Sequence, residues 1–306
     1  DNQYLYNFDY SMNNDLVPFE KYTPALDFQN PCVKDYFSRV IYSLPSSASD
    51  VSDNWQIYKP LNVYDFPNNK GELWDLRYIG RGTTLFRFEK TLYQHGGYST
   101  IETSGQQVRL GSGKLFEQKP IELVSNDTGY AGTRSQWAFD STPFGSFIVD
   151  HVRGKVFLTN GQELEEISAF KMFNWFQKHL PLQLIKDFPK TFEGDDAPAS
   201  KFGIGFSSCF DYKNNLWILS KRDFKLIDPD MAQYITIKDD IFYYKNQQLN
   251  LEDPTFFENH SWSISYSPKK KRWISWYSFL SGMYFNTETE YYSWKDNGIW
   301  THNALF

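Results

Sequence analysis

The sequence predicts an all-β protein of the β-propeller type, with antiparallel blades of three or four strands, an inserted helix and long loops. Aromatic residues make up 19% of the 306 residues, and aromatic side chains pack well on the pleated surface of a sheet. Hairpin patterns recur in groups of about 40 residues, which is the size of a propeller blade. An irregular β-sandwich is the alternative, because it also has short strands and frequent turns.

Five groups of strand-like runs are candidate blades within residues 36–306. A single blade cannot bury both of its faces, so blades are expected to stack around an axis. Residues 1–35 are rich in Asn and are expected to form an arm or a connection from a preceding domain, whereas 98–129, including 105–114, is expected to be a loop excursion. The candidate blades contain runs at 36–43 with 54–66, at 73–97, at 137–150 with 155–160, at 206–219 with 239–246, and at 262–276 with 290–296.

The clearest pattern is one hairpin that occurs twice, as FSSCFDYKNNLWIL (206–219) and WSISYSPKKKRWISW (262–276). In both, an aromatic residue precedes a Trp by seven positions, across a turn that contains Asn-Asn or Ser-Pro. A third copy is predicted at 137–150, with its turn at 142–145. Each copy is interpreted as the start of its own blade. The aromatic residues expected in the blade cores are Trp137, Phe147, Phe210, Trp217, Tyr266 and Trp273.

One segment, SAFKMFNWFQKHLP (168–181), has helical spacing. Ser168 is a candidate N-cap, and Pro181 is expected to end the helix. The helix is predicted to belong to an insertion at 168–200, and its aromatic residues pack either on the side of the propeller or on a neighbouring subunit. The candidate interface residues are Phe170, Phe173, Trp175 and Phe176.

Charge and cysteine content argue against several classes of protein. A net charge of −6 disfavours a sequence-reading nucleic-acid binder, because such proteins present a basic face. The two cysteines, Cys32 and Cys209, are too few for a disulfide framework. No run of about 18 apolar residues and no signal-peptide pattern is present, so no membrane segment is expected. The start at Asp1 without a Met leads us to expect a longer parent polypeptide.

No catalytic, cofactor-binding or metal-binding motif is found, and no cofactor is expected. Asp150 and His151 are adjacent, so on a strand they would point to opposite faces, which favours a structural role. The basic turn 269–272 is interpreted as a solvated loop. The histidines are scattered, at His95, His151, His179, His260 and His302.

Glycoside hydrolysis would need two carboxylates about 5–10 Å apart. Nothing in the sequence selects such a pair, and the recurring Trp residues are interpreted as packing between blades rather than as a platform for sugars. The carboxylates that could reach a propeller axis are Asp75, Asp140, Asp211, Asp223 and Glu258.

Several passages carry a resemblance to a known family. GYAGTRSQWAFDSTPFGSFIVDHVRGKVFLTNGQELEEIS (129–168), FNWFQKHLP (173–181), LWILSKRDFKL (216–226) and the passage from SWSISYSPKKKRW to GIWTHN (261–303) resemble the muzzle, or stabilisation, protein of crAss-like bacteriophages. That family is related in architecture to podovirus tail nozzles. The resemblance extends from about Cys32 to Asn303, and its motifs are structural.

The resemblance implies a non-enzymatic virion protein at the distal end of a short tail, where it forms the nozzle around the DNA exit channel. It implies a homo-oligomeric ring, six-fold or a multiple of six, in contact with other tail proteins and with genomic DNA that passes non-specifically. The acidic balance suits such a channel, because a negative wall repels phosphates. The alternatives are a glycan-binding or glycan-hydrolysing propeller and a tail-tip adhesin.

Overall fold

The computed structural model shows a mostly β protein with several antiparallel sheets, which confirms the all-β prediction. The chain forms two compact units, one of residues 1–73 with 95–120 and one of residues 74–94 with 121–306. The predicted arm at 1–35 lies outside the described residues. The structure describes residues 36–44, 54, 57–80, 82–96, 99–103, 106–110, 116, 118–189, 203–238, 241–295 and 298–303, with the backbone alone for 99–110.

In the described part of the first unit, two pairs of antiparallel strands are present, with strands numbered here in chain order. β1 (Arg39–Ile41) pairs with β2 (Val63–Asp65), and Arg39 forms an ion pair with Asp65 at 2.6 Å. β6 (Ser99–Thr103) pairs with β7 (Gln106–Leu110). The prediction of a loop excursion at 98–129, including 105–114, is therefore wrong for the residues of β6 and β7. Their alternation was too weakly apolar to be recognised as a strand.

The second unit is built around four sheets, named here I to IV. Sheet I contains β3 (Leu73–Gly80), β4 (Thr83–Phe88), β5 (Leu92–Gly96) and β8 (Ile121–Glu122). Sheet II contains β9 (Phe139–Thr142), β10 (Gly145–Asp150), β11 (Lys155–Thr159) and β12 (Leu164–Glu166). Sheet III contains β13 (Gly205–Asp211), β14 (Leu216–Arg222), β20 (Trp262–Ser267) and β21 (Arg272–Tyr277). Sheet IV contains β22 (Met283–Asn286), β23 (Tyr291–Lys295) and β24 (Gly298–His302).

Sheet III corrects one prediction. Both hairpins of the repeated pattern form, but β14 pairs with β20, so the two hairpins belong to one sheet rather than to two blades. The repeated aromatic positions lie directly opposite one another across all four strands, in the order Phe210, Trp217, Tyr266 and Trp273. The sequence pattern fixes the turn of each hairpin, but it does not specify which hairpins become neighbours.

The residues between β14 and β20 form an insertion with its own core. It contains β15 (Phe224–Leu226), β16 (Ile235–Lys238), β17 (Ile241–Tyr244), β18 (Gln247–Leu249) and β19 (Phe257–Asn259). The segment 239–246, predicted as the third strand of a blade, supplies β17 of this insertion instead. Its core includes Phe224, Phe242 and Phe257. The chain leaves sheet III after β14 and returns to the same edge of that sheet, which allows β20 to pair with β14.

The predicted helix is shorter than expected. α1 spans Phe173–His179, and α2 (Gln183–Asp187) follows it. Ser168 lies in a 3-10 turn before α1, where its hydroxyl accepts a hydrogen bond from the Val156 N–H at 3.2 Å. It is therefore not the N-cap of α1, since its side chain is used to hold the turn against β11. The helix ends before Pro181, as predicted.

The four sheets pack face to face in the order I, II, III, IV. Leu85 of sheet I meets Ile148 and Phe157 of sheet II, whose opposite face presents Phe147 to sheet III. Cys209 and Ile218 of sheet III then meet Tyr291 of sheet IV. The first strands of sheets II, III and IV are neighbours: β9 lies against β13, and β13 lies against β22. The second unit therefore has a stack of sheets as its core.

Candidate functional site

Four residues that lie opposite one another across sheet III form what we name the aromatic row: Phe210, Trp217, Tyr266 and Trp273. This row belongs to the core between sheets II and III. Phe147 of sheet II stacks on Trp217 with ring centroids 4.4 Å apart and ring planes 5° apart. Phe147, Phe210, Trp217 and Tyr266 are buried, whereas Trp273 is half-buried and donates from Nε1 to the Ile167 carbonyl at 3.1 Å. Trp137 lies outside the core with 46% of its surface exposed. Its position next to a strand resembled a core position in the sequence, but it precedes β9.

A half-buried carboxylate joins sheets II and III at this row. Asp140 of β9 accepts a hydrogen bond from Trp217 Nε1 at 2.7 Å and another from the Ser208 hydroxyl. Burial raises the pKa of Asp140, and the two donors oppose that effect. Because both donors come from sheet III, this carboxylate fixes the position of β9 relative to β13 and β14.

The adjacent residues Asp150 and His151 are both buried at the end of β10. Arg153 donates to Asp150 from its backbone N–H at 3.1 Å and from its guanidinium at 3.1 Å. Burial raises the pKa of Asp150 to about 6, against the opposing effect of Arg153. His151 stacks on Phe206 at 5.6 Å, and burial lowers its pKa to about 3. Both residues are parts of the packing around the turn that follows β10.

An ion pair that the sequence analysis missed anchors α1 and α2 to sheet III. Lys221 Nζ lies 2.7 Å from Asp223 Oδ2, and both side chains are at most 1% exposed. Lys221 also donates to the carbonyls of His179 and Pro181 at 2.8 and 2.9 Å, while Asp223 accepts the Gln183 N–H at 2.8 Å. The signal was present in LWILSKRDF (216–224), where a Lys occupies an inward position of an apolar strand.

The candidate interface residues of α1 occupy different environments. Phe176 is fully buried in the core, 4.6 Å from the Trp273 ring. Phe173 is 44% exposed, and Trp175 is half-buried. Phe170 is also half-buried and packs on the same core. Burial of Phe176 means that it stabilises this chain rather than providing a contact surface.

Trp175 belongs to an aromatic patch at the surface. Its ring lies edge-to-face with Trp276 at 4.7 Å and with Trp262 at 5.0 Å. Trp276, on β21, is 54% exposed. We name Trp175 and Trp276 the α1 aromatic patch. The sequence analysis predicted the helical member but not Trp276, because a strand Trp was assigned to packing between blades.

The five carboxylates that could have served a catalytic axis are held in structural contacts. Asp75 pairs with Arg87 at 2.6 Å, and Asp211 accepts from Asn303 Nδ2 at 2.9 Å. Glu258 lies 3.2 Å from His260, whose hydrogen bond lowers the pKa of that carboxyl. Asp140 and Asp223 are engaged as described above. Four of these groups join elements of the fold, whereas Glu258 is 64% exposed and contacts a residue two positions along the chain.

The two cysteines and the basic turn were also considered in the sequence analysis. Cys209 is buried, and burial raises the pKa of its thiol, whereas Cys32 lies outside the described residues. The basic turn at 269–272 is exposed, and Lys271 pairs with Glu165 at 2.9 Å.

Among the described residues, none of the helices is long and apolar enough to cross a membrane.

Comparison with known proteins identifies one family. A family model described as crassvirus muzzle protein matches residues 1–297 of the chain. A comparison with curated proteins gives no significant match. The family match covers nearly the whole sequence and agrees with the resemblance of the passages at 129–181 and 261–303.

Proposed function

The chain belongs to the crassvirus muzzle protein family, and from that premise we propose that it forms the distal nozzle of a short phage tail. Membership makes the chain a structural component of the virion tail. The nozzle would surround the channel through which DNA leaves during ejection. The observation that carries the proposal is the family match over residues 1–297.

The stack of sheets I to IV supports a propeller architecture for the second unit. In a propeller, sheets pack face to face and their first strands gather around the axis. Strands β9, β13 and β22 are the first strands of sheets II, III and IV, and they lie against one another in that order. The Asp140 carboxylate and the aromatic row fix the spacing of sheets II and III, as a stiff tail component requires.

The nozzle is proposed to be a homo-oligomeric ring, six-fold or a multiple of six, that contacts other tail proteins. The α1 aromatic patch supports a subunit contact, because aromatic residues are enriched in the cores of interfaces. The net charge of −6 supports a channel wall that repels DNA phosphates and so avoids adhesion. The proposed role needs no catalysis.

Immunogold electron microscopy of intact phage particles tests the nozzle role. Antibodies against this chain should label the distal end of a short tail. Label on the capsid or at the head–tail junction would contradict the distal position, and absence of label on particles would contradict the nozzle. An antibody to the major capsid protein provides the positional control on the same grids.

A further inference from the structure

The hairpin of β20 and β21 presents a concentration of positive charge. Its turn and the first residue of β21 supply the four consecutive basic residues at 269–272, all of which are exposed. Only Lys271 forms an ion pair within the described part of the chain. Because the whole chain has a net charge of −6, this turn differs in sign from the rest of the molecule and favours an acidic partner.

The hairpin of β22 and β23 carries the opposite charge at its turn. Glu288 is exposed there, and Glu290 accepts a hydrogen bond from the Tyr292 hydroxyl at 2.9 Å. Thr287 closes the turn, because its backbone N–H donates to the Glu290 carbonyl at 2.8 Å and its hydroxyl accepts the Glu290 N–H at 3.1 Å. The two carboxylates are therefore held at one end of sheet IV.

Exposed apolar side chains lie beside both charged turns. Ile274 and Trp276 of β21 are 39% and 54% exposed, and Met283 and Phe285 of β22 are 39% and 43% exposed. In each hairpin these side chains lie within about 17 Å of the charged turn along an extended strand. Apolar side chains next to charged ones are the composition of an interface with an apolar centre and a polar rim.

We name these two regions by their charge. The basic surface consists of the basic turn at 269–272 with Ile274 and Trp276, and the acidic surface consists of Glu288, Glu290, Met283 and Phe285.

The two surfaces do not meet within one molecule. Sheet III packs on sheet IV through Cys209, Ile218 and Tyr291, which belong to neither surface. Trp276 contacts Trp175 of α1, and the apolar side chains of both surfaces stay exposed. A contact between the two surfaces therefore joins two molecules. Since the surfaces differ, it is a head-to-tail contact, which repeats from copy to copy and closes into a ring when the rotation permits.

We propose that the basic surface of one copy of this chain docks on the acidic surface of the next copy. The apolar side chains of β21 and β22 then cover one another, and the oppositely charged turns face each other at the rim. Every copy carries each surface once, so the contact can be repeated around the whole assembly. The inference rests on the proposed ring, for which it names the surfaces in contact.

Charge reversal with rescue, carried out on the full chain, tests the contact. Lys269→Glu with Lys270→Glu, and separately Glu288→Lys, should each weaken self-association about tenfold at low ionic strength, because like charges then face each other. The variant that combines all three changes should associate within about threefold of wild type, since opposite charges face each other again. Sedimentation velocity at about 0.05 M and about 0.5 M NaCl measures association, and the losses should shrink at the higher salt concentration.

The apolar part of the contact is tested by Phe285→Ser. This change should weaken self-association about tenfold at both salt concentrations, because it removes an exposed aromatic anchor. Circular dichroism checks that every variant keeps its fold. Lys238→Glu and Asp127→Lys are the matched controls, since both residues are exposed outside the two surfaces, and they should leave association unchanged.

The possible failures can be told apart. An oligomeric wild type whose association is unaffected by the charge reversals rejects this contact alone and leaves the ring in place. A combined variant that is as weak as its parents overturns the pairing of the two turns. A wild type that stays monomeric at all concentrations rejects both the contact and the ring, whereas the position in the tail is judged separately by immunogold labelling.

Discussion

Trp217 combines apolar packing with a buried polar contact. Its ring stacks on Phe147, and its indole N–H is bound by Asp140. Replacement of such a side chain by Ala removes buried surface, leaves a cavity and deprives the carboxylate of a donor. The residue therefore holds two sheets together rather than filling one of them.

We expect Trp217→Ala to lower the free energy of unfolding by about 3–5 kcal/mol. Urea unfolding followed by circular dichroism measures the change. Trp137→Ala is the matched control, because Trp137 is 46% exposed, and it should cost less than about 1 kcal/mol. Similar small losses at both positions would show that the aromatic row does not form the core. Trp273→Ala should be costly as well, since its ring packs on Tyr266 at 5.1 Å.

His151 is expected to make the fold sensitive to acid. Its pKa is lowered from 6.5 to about 3 in the folded chain. Between pH 6.5 and about pH 3, the imidazole is therefore protonated in the unfolded chain but neutral in the folded chain. Stability from this residue is therefore lost as the pH falls below 6.5, by on the order of 3 kcal/mol at about pH 4. Asp150 acts in the opposite direction, because its pKa is raised from 3.8 to about 6 and protonation favours the folded chain.

The variant His151→Gln tests this effect. When the pH is lowered from about 7 to about 4, the unfolding free energy of the wild type should fall by on the order of 3 kcal/mol more than that of the variant. Since Asp150 is present in both proteins, its effect cancels in the difference. A difference that stays constant with pH would contradict the buried, neutral state of His151.

At the scale of elements, the helices depend on a buried ion pair. Lys221 binds the carbonyl end of α1, and Asp223 binds the N–H groups at the start of α2. Burial lowers the pKa of Lys221, and Asp223 opposes that shift. Loss of one partner leaves the other charge buried without compensation, which is costly.

Lys221→Met should therefore destabilise the fold by about 3–5 kcal/mol, as measured by urea unfolding. The double variant Lys221→Met with Asp223→Asn should recover part of the loss, since the uncompensated charge is gone. Glu252→Gln is the control, because it disrupts the pair with Arg222, in which Glu252 is 63% exposed, and should cost less than about 1 kcal/mol. Equal losses at Lys221 and Glu252 would contradict the anchoring role.

Local elements could be predicted from the sequence more completely than their arrangement. The pairs Phe210–Trp217 and Tyr266–Trp273 follow from the turn residues between them, and the structure places both pairs opposite one another. The pairing of Trp217 with Tyr266 depends on an insertion that leaves and rejoins one edge of the sheet. Such long-range pairing has no local signal, because either arrangement satisfies the same alternation of aromatic and polar residues.

At the scale of the second unit, the candidate site also depends on long-range packing that has no local signal in the sequence. Helical spacing predicted Phe176 and Phe173 as equivalent, but packing of α1 on sheet III buries the first and exposes 44% of the second. Which face of a short helix is covered depends on the neighbouring sheet, and not on the helix sequence alone. Trp276 joined the patch only because β21 is the outer strand of sheet III.

The α1 aromatic patch provides a test of assembly at the scale of the whole molecule. We expect the variant Trp276→Ser to keep its fold and to weaken self-association about tenfold or more, because exposed aromatic anchors carry much of the energy of interfaces. Sedimentation velocity over a range of concentrations measures the association, and circular dichroism checks the fold. Tyr234→Ser is the matched control, since Tyr234 is 61% exposed and lies on the insertion between β14 and β20. Unchanged association in the Trp276→Ser variant would place the subunit contact elsewhere, whereas equal weakening by the control would show a non-specific effect of removing exposed aromatic surface.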